Sequence, residues 1–512
     1  MPFVAEISSG VSVGSGIRWM SRFFFSLLFA VTFFVVTLFS ITMTAQEPSH
    51  ADAATRRLAI DIFKQLIEIN TTDSVGSVTA AAEAMAQRFR DAGFPESDIQ
   101  LLGPSSNDRK KNVVVRLHGS GKHKPVLLIG HLDVVEARRE DWTTDPFQFI
   151  EKDGYYYGRG TSDMKDGDAI MTATLIRMKK EGYVPSRDII LAMTADEEGG
   201  TSNGVDWLIK NHRELIDAEF VLNHDGGGVL ADHGKPLMME VNATEKLYGD
   251  FVLTATNPGG HSSLPRPENA IYELADALTR IQHFQFPFEL NNITRAYYER
   301  QVTMATGQRA ADLKAMLKNP PDMEAVARLS KDPLDNSTMH TTCVATRLSG
   351  GHANNALPQM AQANVNCRIE PGHTLEEIRL TLEKVVADPK LATPVAAPTI
   401  KVQFRENTNV LLDHGSDRHS YVPPAPRKEV FDPLEKVVAK MWPGIPVLPN
   451  MSTGASDGVY TNAAGMPTYC VSGEQYDRDD IRAHGKDERI GVESFARGVD
   501  FYYVFLKGVT AE

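Results

Sequence analysis

Apolar residues recur at helical spacing through Leu58, Ile62, Leu66 and Ile69, after a polar spacer at 44–55. A second helix is expected over 78–92, with Gly93 as its stop. Short apolar runs then alternate with amphipathic stretches. Strands are expected at 113–117 and 125–135, the second with Val126, Leu127, Leu128 and Ile129 as a buried run. A helix follows over 164–181, then a strand at 188–194, a helix at 205–211 and a strand at 220–222. Strands separated by helices imply an α/β layer with a mostly parallel, buried central sheet. Near residue 246 the texture changes. Residues 247–255 alternate like a half-buried strand, and 269–281 read as a helix. The stretch 284–342 is polar and helical in pattern, broken by Pro320, Pro321 and Pro333. Strand, helix and strand signals resume over 341–404, and a mixed segment over 429–503 closes the chain. The organisation implied is an α/β domain in two parts, 55–245 and 406–512, interrupted by an inserted α+β domain at 246–405.

Composition adds limits. The chain has 512 residues, enough for two or three domains. Hydrophobic residues are 42% and charged residues 23%, so a sizeable core is expected rather than disorder. A formal net charge of −13 argues against nucleic acid as a partner, because phosphate binding needs clustered Lys and Arg. Cys343, Cys367 and Cys470 lie far apart and form no CxxC pattern. Neither a thiolate metal site nor a disulfide framework is expected; an oxidising compartment would allow one pair to bridge, but buried free thiols are the favoured reading.

The N-terminus carries a basic flank at 1–22, with Arg18 and Arg22, before an uncharged run that begins at Phe23. The segment 23–45 exceeds the roughly 7–15 apolar residues of a cleaved signal and is long enough to span a bilayer. It reads as a signal peptide or a membrane anchor. Either way the rest of the chain is expected to be exported, periplasmic or extracellular, and anchored if the segment is retained.

Acids and histidines gather at strand ends. The run at 126–130 leads into His131-Leu132-Asp133, and 189–194 leads into Asp196-Glu197-Glu198. The run at 220–222 leads into Asn223-His224-Asp225-Gly226-Gly227, and Asp163 stands just before the helix at 164–181. The carboxyl ends of strands are where open α/β sheets build their sites. Each signal alone is weak: an acid before a helix is usually an N-cap, and Asp-Gly-Gly is usually a turn. Several acids delivered to one sheet edge need a cation. Imidazoles with carboxylates and no thiolate suit zinc, with cobalt or manganese as alternatives. Paired metals hold one hydroxide between them and stabilise the oxyanion formed at a carbonyl. His131 and Asp133 share a strand face, which lets Asp133 orient the imidazole. Of Glu197 and Glu198, one is free to carry a proton.

Gly130-His131-Leu132-Asp133-Val134-Val135, Gly158-Arg159-Gly160-Thr161-Ser162-Asp163-Met164-Lys165 and Asp196-Glu197-Glu198-Gly199 resemble the signature blocks of the aminoacylase, glutamate carboxypeptidase and carboxypeptidase S family of dinuclear zinc hydrolases. The likeness runs over nearly all of the chain after residue 55. It implies that His131 and Asp225 hold one zinc, Glu198 and His484 the other, and that Asp163 bridges them. It implies Asp133 as the support of His131 and Glu197 as the general base. His484, in Ala483-His484-Gly485-Lys486-Asp487-Glu488-Arg489, rests on the resemblance alone. The inserted domain resembles the family's lid, which often dimerises. Within it His261 matches the residue that polarises the scissile carbonyl, and Asn355 and Arg368 match positions that grip substrate. Arg suits a free carboxylate because its fork meets both oxygens. Gly454 matches a loop at the substrate's end.

The long 284–342 stretch resembles the helical insertion of the carboxypeptidase S-like members. If it covers the lid's edge, His261 serves its own chain rather than a partner's. The expected activity is hydrolysis of an amide bond beside a free carboxylate, as a carboxypeptidase or dipeptidase on small peptides. The alternative is deacylation of N-acyl amino acids. Intact ligands and base argue against a binding protein that merely kept the fold, and two histidines without a phosphate-cradling loop argue against a phosphohydrolase.

Overall fold

The structure is a computed structural model that describes residues 53–388, 400–404 and 421–511. The flank and apolar run at 1–45 lie outside the described residues. Among those described, no helix is long and apolar enough to cross a membrane.

Helix α1 (Ala53–Glu68) buries Ala59, Ile62, Phe63, Leu66 and Ile67, one stripe at helical spacing. Helix α2 (Val78–Asp91) starts where the Ser77 side chain accepts the Ala80 amide, and Gly93, at φ 83°, turns the chain out of it. The chain continues through β1 (Ile99–Leu102), β2 (Asn112–Leu117), β3 (Val126–His131), β4 (Ile150–Lys152), β5 (Tyr155–Tyr157), α3 (Lys165–Lys180), β6 (Ile189–Thr194), α4 (Gly204–Asn211), β7 (Phe220–Asn223), β8 (Gly228–Asp232) and β9 (Lys235–Glu245). After them come β10 (Leu247–Thr256), β11 (Gly260–His261), α5 (Ala270–His283), α6 (Asn292–Met304), α7 (Gly307–Met316), α8 (Met323–Leu329) and α9 (Pro333–Met339). Next are β12 (Thr342–Gly350), β13 (Ala356–Leu357), β14 (Met360–Ile369), α10 (Leu375–Ala387) and β15 (Ile400–Phe404). The chain ends with α11 (Lys428–Met441), β16 (Val447–Ser452), α12 (Gly458–Ala463), β17 (Thr468–Cys470), β18 (Gln475–Asp477), β19 (Arg489–Gly491) and α13 (Val492–Val509).

The large sheet has the order β1-β2-β6-β3-β7-β17-β9-β8-β18, with β16 paired to β9. Its centre, β6-β3-β7-β17, is parallel, and antiparallel pairs flank it. Every residue of β3 and β6 is buried. Alternation sorts their side chains between two helical layers. Val126, Leu128, Ile189 and Leu191 join α1, α3 and α13, whereas Leu127, Ile129, Ile190 and Ala192 join α4. The last residues of the strand expected at 125–135 are loop instead. Of these, Leu132 still donates its amide to the Thr194 carbonyl at 2.8 Å and packs in the core, and Asp133 is buried where its carboxylate accepts the Glu197 and Glu198 amides. The hairpin β8–β9, which periodicity does not reveal, turns at His233 and Gly234, both at positive φ.

A second, antiparallel sheet has the order β12-β14-β10-β15, and its strands fall within 247–404. Phe251, Leu253, Ala363 and Val365 pack beneath α5 and α10 through Leu274, Ala277, Ile378 and Leu382. Strand β12 is an outer edge among the described strands, exposed from Val344 to Gly350. The stretch expected to be polar and helical forms α6 to α9. Its small core (Tyr297, Tyr298, Leu313, Met316, Met339) packs on Leu448 of β16, in the large sheet. It therefore leaves the β12 edge uncovered.

One expectation is overturned. Cys343 and Cys367 form a disulfide rather than lying as free thiols. They stand directly opposite each other on β12 and β14, with Cα atoms 4.1 Å apart. Their spacing in sequence conceals a pairing that strand register creates. Cys470 is free and buried.

Candidate metal centre

His131 is the last residue of β3 and is buried. Its Nδ1 lies 3.0 Å from the backbone carbonyl of Asp133, which fixes that nitrogen as the donor and turns Nε2 toward Asp163. The Nε2 atom lies 3.2 Å from Asp163 Oδ1, yet no aligned hydrogen bond satisfies it. Asp133 thus supports the ring through its main chain. Its carboxylate, 3.9 Å from Nδ1, instead accepts the amides of Glu197 (3.2 Å) and Glu198 (3.0 Å). That contact pins the loop after β6 against the end of β3. Asp163 precedes α3 and is joined to Met164 by a cis peptide. Asp225 follows β7, with its amide held by Asn223 Oδ1 at 3.0 Å. His484 stands on an exposed loop at φ 63°. Its Nε2 is 2.8 Å from Glu198 Oε1 and 3.0 Å from Asp163 Oδ2.

Three groups of potential ligand atoms result, each within 4.8 Å: His131, Asp163 and Asp225; Asp163, Glu198 and His484; and His131, Glu197 and Glu198. Asp163 is common to the first two. One of its oxygens faces each imidazole.

The electrostatics reveal a deficit of positive charge. Burial pushes Asp225 up to about 7, and the neighbouring Asp163 charge adds to the effect. Burial drives Glu197 well above the ordinary glutamate value, with Asp225 and Asp457 adding to it. Burial also opposes ionisation of Asp163, but the His131 and His484 imidazoles beside it hold it below the usual carboxylate range. Hydrogen bonds to Asp163 and Glu198 pull His484 up to about 10. Left to itself, the chain gathers protons here. Two bound cations would compensate the same carboxylates, and the donor set of imidazole nitrogens and carboxylate oxygens fits them.

Buried residues that periodicity does not single out hold the loops. Lys110, 2% exposed, pairs with Asp73 at 2.8 Å and with Asp196, whose other oxygen accepts the amides of Thr201 and Ser202. Asp457 accepts from Asn203 Nδ2 at 2.6 Å and from Thr194 Oγ1 at 3.2 Å. Arg159 and Glu488 form an ion pair of 2.6 Å. A charged residue in a loop reads as solvated, and its partner is far away in sequence. Only their place inside the motif blocks marks Arg159 and Glu488.

The residues expected to touch substrate lie apart from this cluster. His261 and Asn355 meet on the small β11–β13 ribbon, where the Ser262 amide donates to the Asn355 carbonyl at 3.0 Å. His261 is exposed, and its Nδ1 bonds Ser263 Oγ at 2.7 Å. Arg368, on β14, lays its guanidinium over the Tyr248 ring at 4.9 Å. Gly454 follows β16, and its amide donates to Ser452 Oγ at 3.1 Å. Among the described residues, no hydrogen bond or ion pair links His261, Asn355, Arg368 or Gly454 to the carboxylate cluster.

Residues 127–508 match the family model of Peptidase family M20/M25/M40. The chain belongs to this family. It is 26% identical over 402 residues to the human N-fatty-acyl-amino acid synthase/hydrolase PM20D1, across 76% of this chain and 75% of that protein. It is 27% identical over 408 residues to the probable carboxypeptidase S-like 2 of Dictyostelium discoideum, across 75% and 71%. The structure of the M20 family metallo-carboxypeptidase Sso-CP2 from Sulfolobus solfataricus superposes with a TM-score of 0.60 at 18% identity, covering 89% of this chain and 99% of that one. The fold is that of M20 peptidases, and the chain is a metallopeptidase-family hydrolase.

Proposed function

We propose that this M20 hydrolase holds two zinc ions and cleaves the amide bond beside a residue with a free carboxylate, as a carboxypeptidase or dipeptidase. The sharing of Asp163 between the His131/Asp225 and Glu198/His484 groups carries this reading. Cobalt or manganese would suit the same donors. Bound there, the ions would supply Lewis acidity toward a carbonyl and make water a nucleophile near neutral pH. The chain's own residues do the rest. Glu197 is held at the cluster by its amide's bond to Asp133, with a pKa raised by burial, and it takes a proton from water and returns it to the leaving amine. The Asp133 carbonyl keeps His131 Nδ1 protonated, so Nε2 remains the ligand. Arg368, oriented by stacking on Tyr248, is the group for the substrate carboxylate. His261 and Asn355 act from the ribbon, and Gly454 borders the substrate's end.

Because the ribbon is exposed, we assign His261's action to a homodimer formed along the β12 edge. Val344 and Leu348 are exposed there, and a strand edge with no partner among the described residues is a ready surface for a second copy. The disulfide supports export, since cytosolic thiols are kept reduced.

A second reading, deacylation of N-acyl amino acids, is favoured by the likeness to the PM20D1 relative. One panel separates them: dipeptides, longer peptides and N-acyl amino acids, each with a free and an amidated carboxyl end, assayed with zinc restored. Turnover confined to free-carboxylate substrates is expected, with peptides preferred. Equal turnover of amidated substrates would refute the proposal.

A further inference from the structure

The two ligand groups are held by different means. His131 and Asp225 stand at the ends of adjacent strands. His484 is exposed, on a loop that reaches Glu198 across 286 residues of sequence. A buried ion pair lies under that loop. Arg159 and Glu488 are 3% and 0% exposed in their side chains and meet at 2.6 Å. Glu488 Oε1 accepts the amide of Ser162 at 2.8 Å, one residue before Asp163. Arg159 Nη2 donates to the carbonyl of His484 at 3.3 Å. Each partner of the pair thus grips the chain beside a ligand from the other partner's segment. Arg159 is further fixed by Trp142, whose ring lies 5.0 Å from the guanidinium. The neighbouring Asp487 ties the loop's other side to the amide and hydroxyl of Thr143 at 2.8 and 2.7 Å.

A buried ion pair contributes little net stability, because desolvation offsets the attraction, but it does fix geometry. We propose that the Arg159–Glu488 pair is a positioning device that sets metal affinity chiefly at the Glu198/His484 position: it grips His484 directly through Arg159 and the shared Asp163 only through Ser162, whereas strand ends hold His131 and Asp225. This rests on the two-metal reading above. Neither residue touches the ligand atoms, and each acts through the main chain of the ligand loops.

The test is titration of the metal-free full chain with Zn²⁺, repeated with Co²⁺ to follow the visible absorption of each bound ion. The variants are Glu488→Gln and the double variant Arg159→Met with Glu488→Leu, which leaves no buried charge unpaired. Arg187→Met is the control, because it removes a buried arginine at the opposite, amino end of the strands. Weakening of one equivalent by about 10–100-fold, the range for residues that orient ligands, is expected in both pair variants. The other equivalent should change by less than about threefold on the same reasoning, and the control should match the wild type. Should Glu488→Gln fail to fold by circular dichroism, the double variant gives the result. Equal weakening of both equivalents, or unchanged affinity of both, overturns the proposal while the two-metal reading stands. A wild-type chain that takes only one equivalent overturns that reading and this proposal together.

Discussion

The two halves of the proposed metal centre share Asp163, and the His131, Glu197 and Glu198 group reaches across both, but they are built by different means. The half built on His131 and Asp225 derives from sheet register. Ile129 of β3 pairs with Asn223 of β7, so the residues two places beyond each are carried to the same edge. Strand spacing of about 4.8 Å does the placing. In the half built on Glu198 and His484, Glu198 still follows a strand of the sheet, β6, but His484 has no such template. His484 adopts a left-handed backbone on an exposed loop, and ion pairs and side-chain bonds far apart in sequence bring it to Glu198. One half is a consequence of the fold, and the other is a consequence of tethering. They should therefore respond differently to mutation.

The largest effect is expected where the halves join. Asp163→Asn removes the shared anionic ligand, so turnover should vanish and bound metal should fall below about one equivalent per chain by elemental analysis. Full occupancy by two ions would show that the halves are independent. Glu197→Gln should retain both equivalents and lower kcat by about 10²–10⁴-fold, with KM little changed. Loss of metal in that variant would make Glu197 a ligand rather than a base.

The comparison sharpens with two further pairs of measurements. Replacing both Cys343 and Cys367 with Ser should cost about 2–4 kcal/mol yet leave metal stoichiometry unchanged, since the disulfide joins β12 to β14 away from the cluster. His131→Ala empties a buried position and leaves the Asp133 carbonyl without its donor, at a cost of about 1–3 kcal/mol in denaturant unfolding. His484→Ala should release one equivalent; it also removes the partner that Glu198 and Asp163 meet at 2.8 and 3.0 Å, but because His484 itself is exposed the loss in denaturant unfolding should be smaller than for His131→Ala. Equal costs for the two histidines would contradict the contrast between sheet and loop.

The same contrast explains what can be read from the sequence. His131, Asp163, Glu198 and Asp225 follow or precede strongly periodic elements, so local pattern locates them. The parallel centre of the sheet is legible because β3 and β6 are apolar throughout, as buried parallel strands must be. His484 has no periodic element beside it, and only the family resemblance marks it. Lys110, Arg159 and Glu488 carry no local signal, because their burial depends on partners brought by the fold. The disulfide is hidden for the same reason. Residues 284–342 look polar because their core is a handful of side chains completed by Leu448 from a distant strand. Asp133 shows a finer limit. Its nearness to His131 is legible, but the choice between its carbonyl and its carboxylate is not, since that depends on where the Glu197 and Glu198 amides lie.

The most direct test of the account is a crystal structure of the zinc-loaded protein with anomalous scattering measured at the zinc edge. The account predicts two ions about 3.5–4 Å apart, with one Asp163 oxygen on each, His131 and Asp225 on the first and Glu198 and His484 on the second. A single ion, or two ions that do not share Asp163, would contradict it.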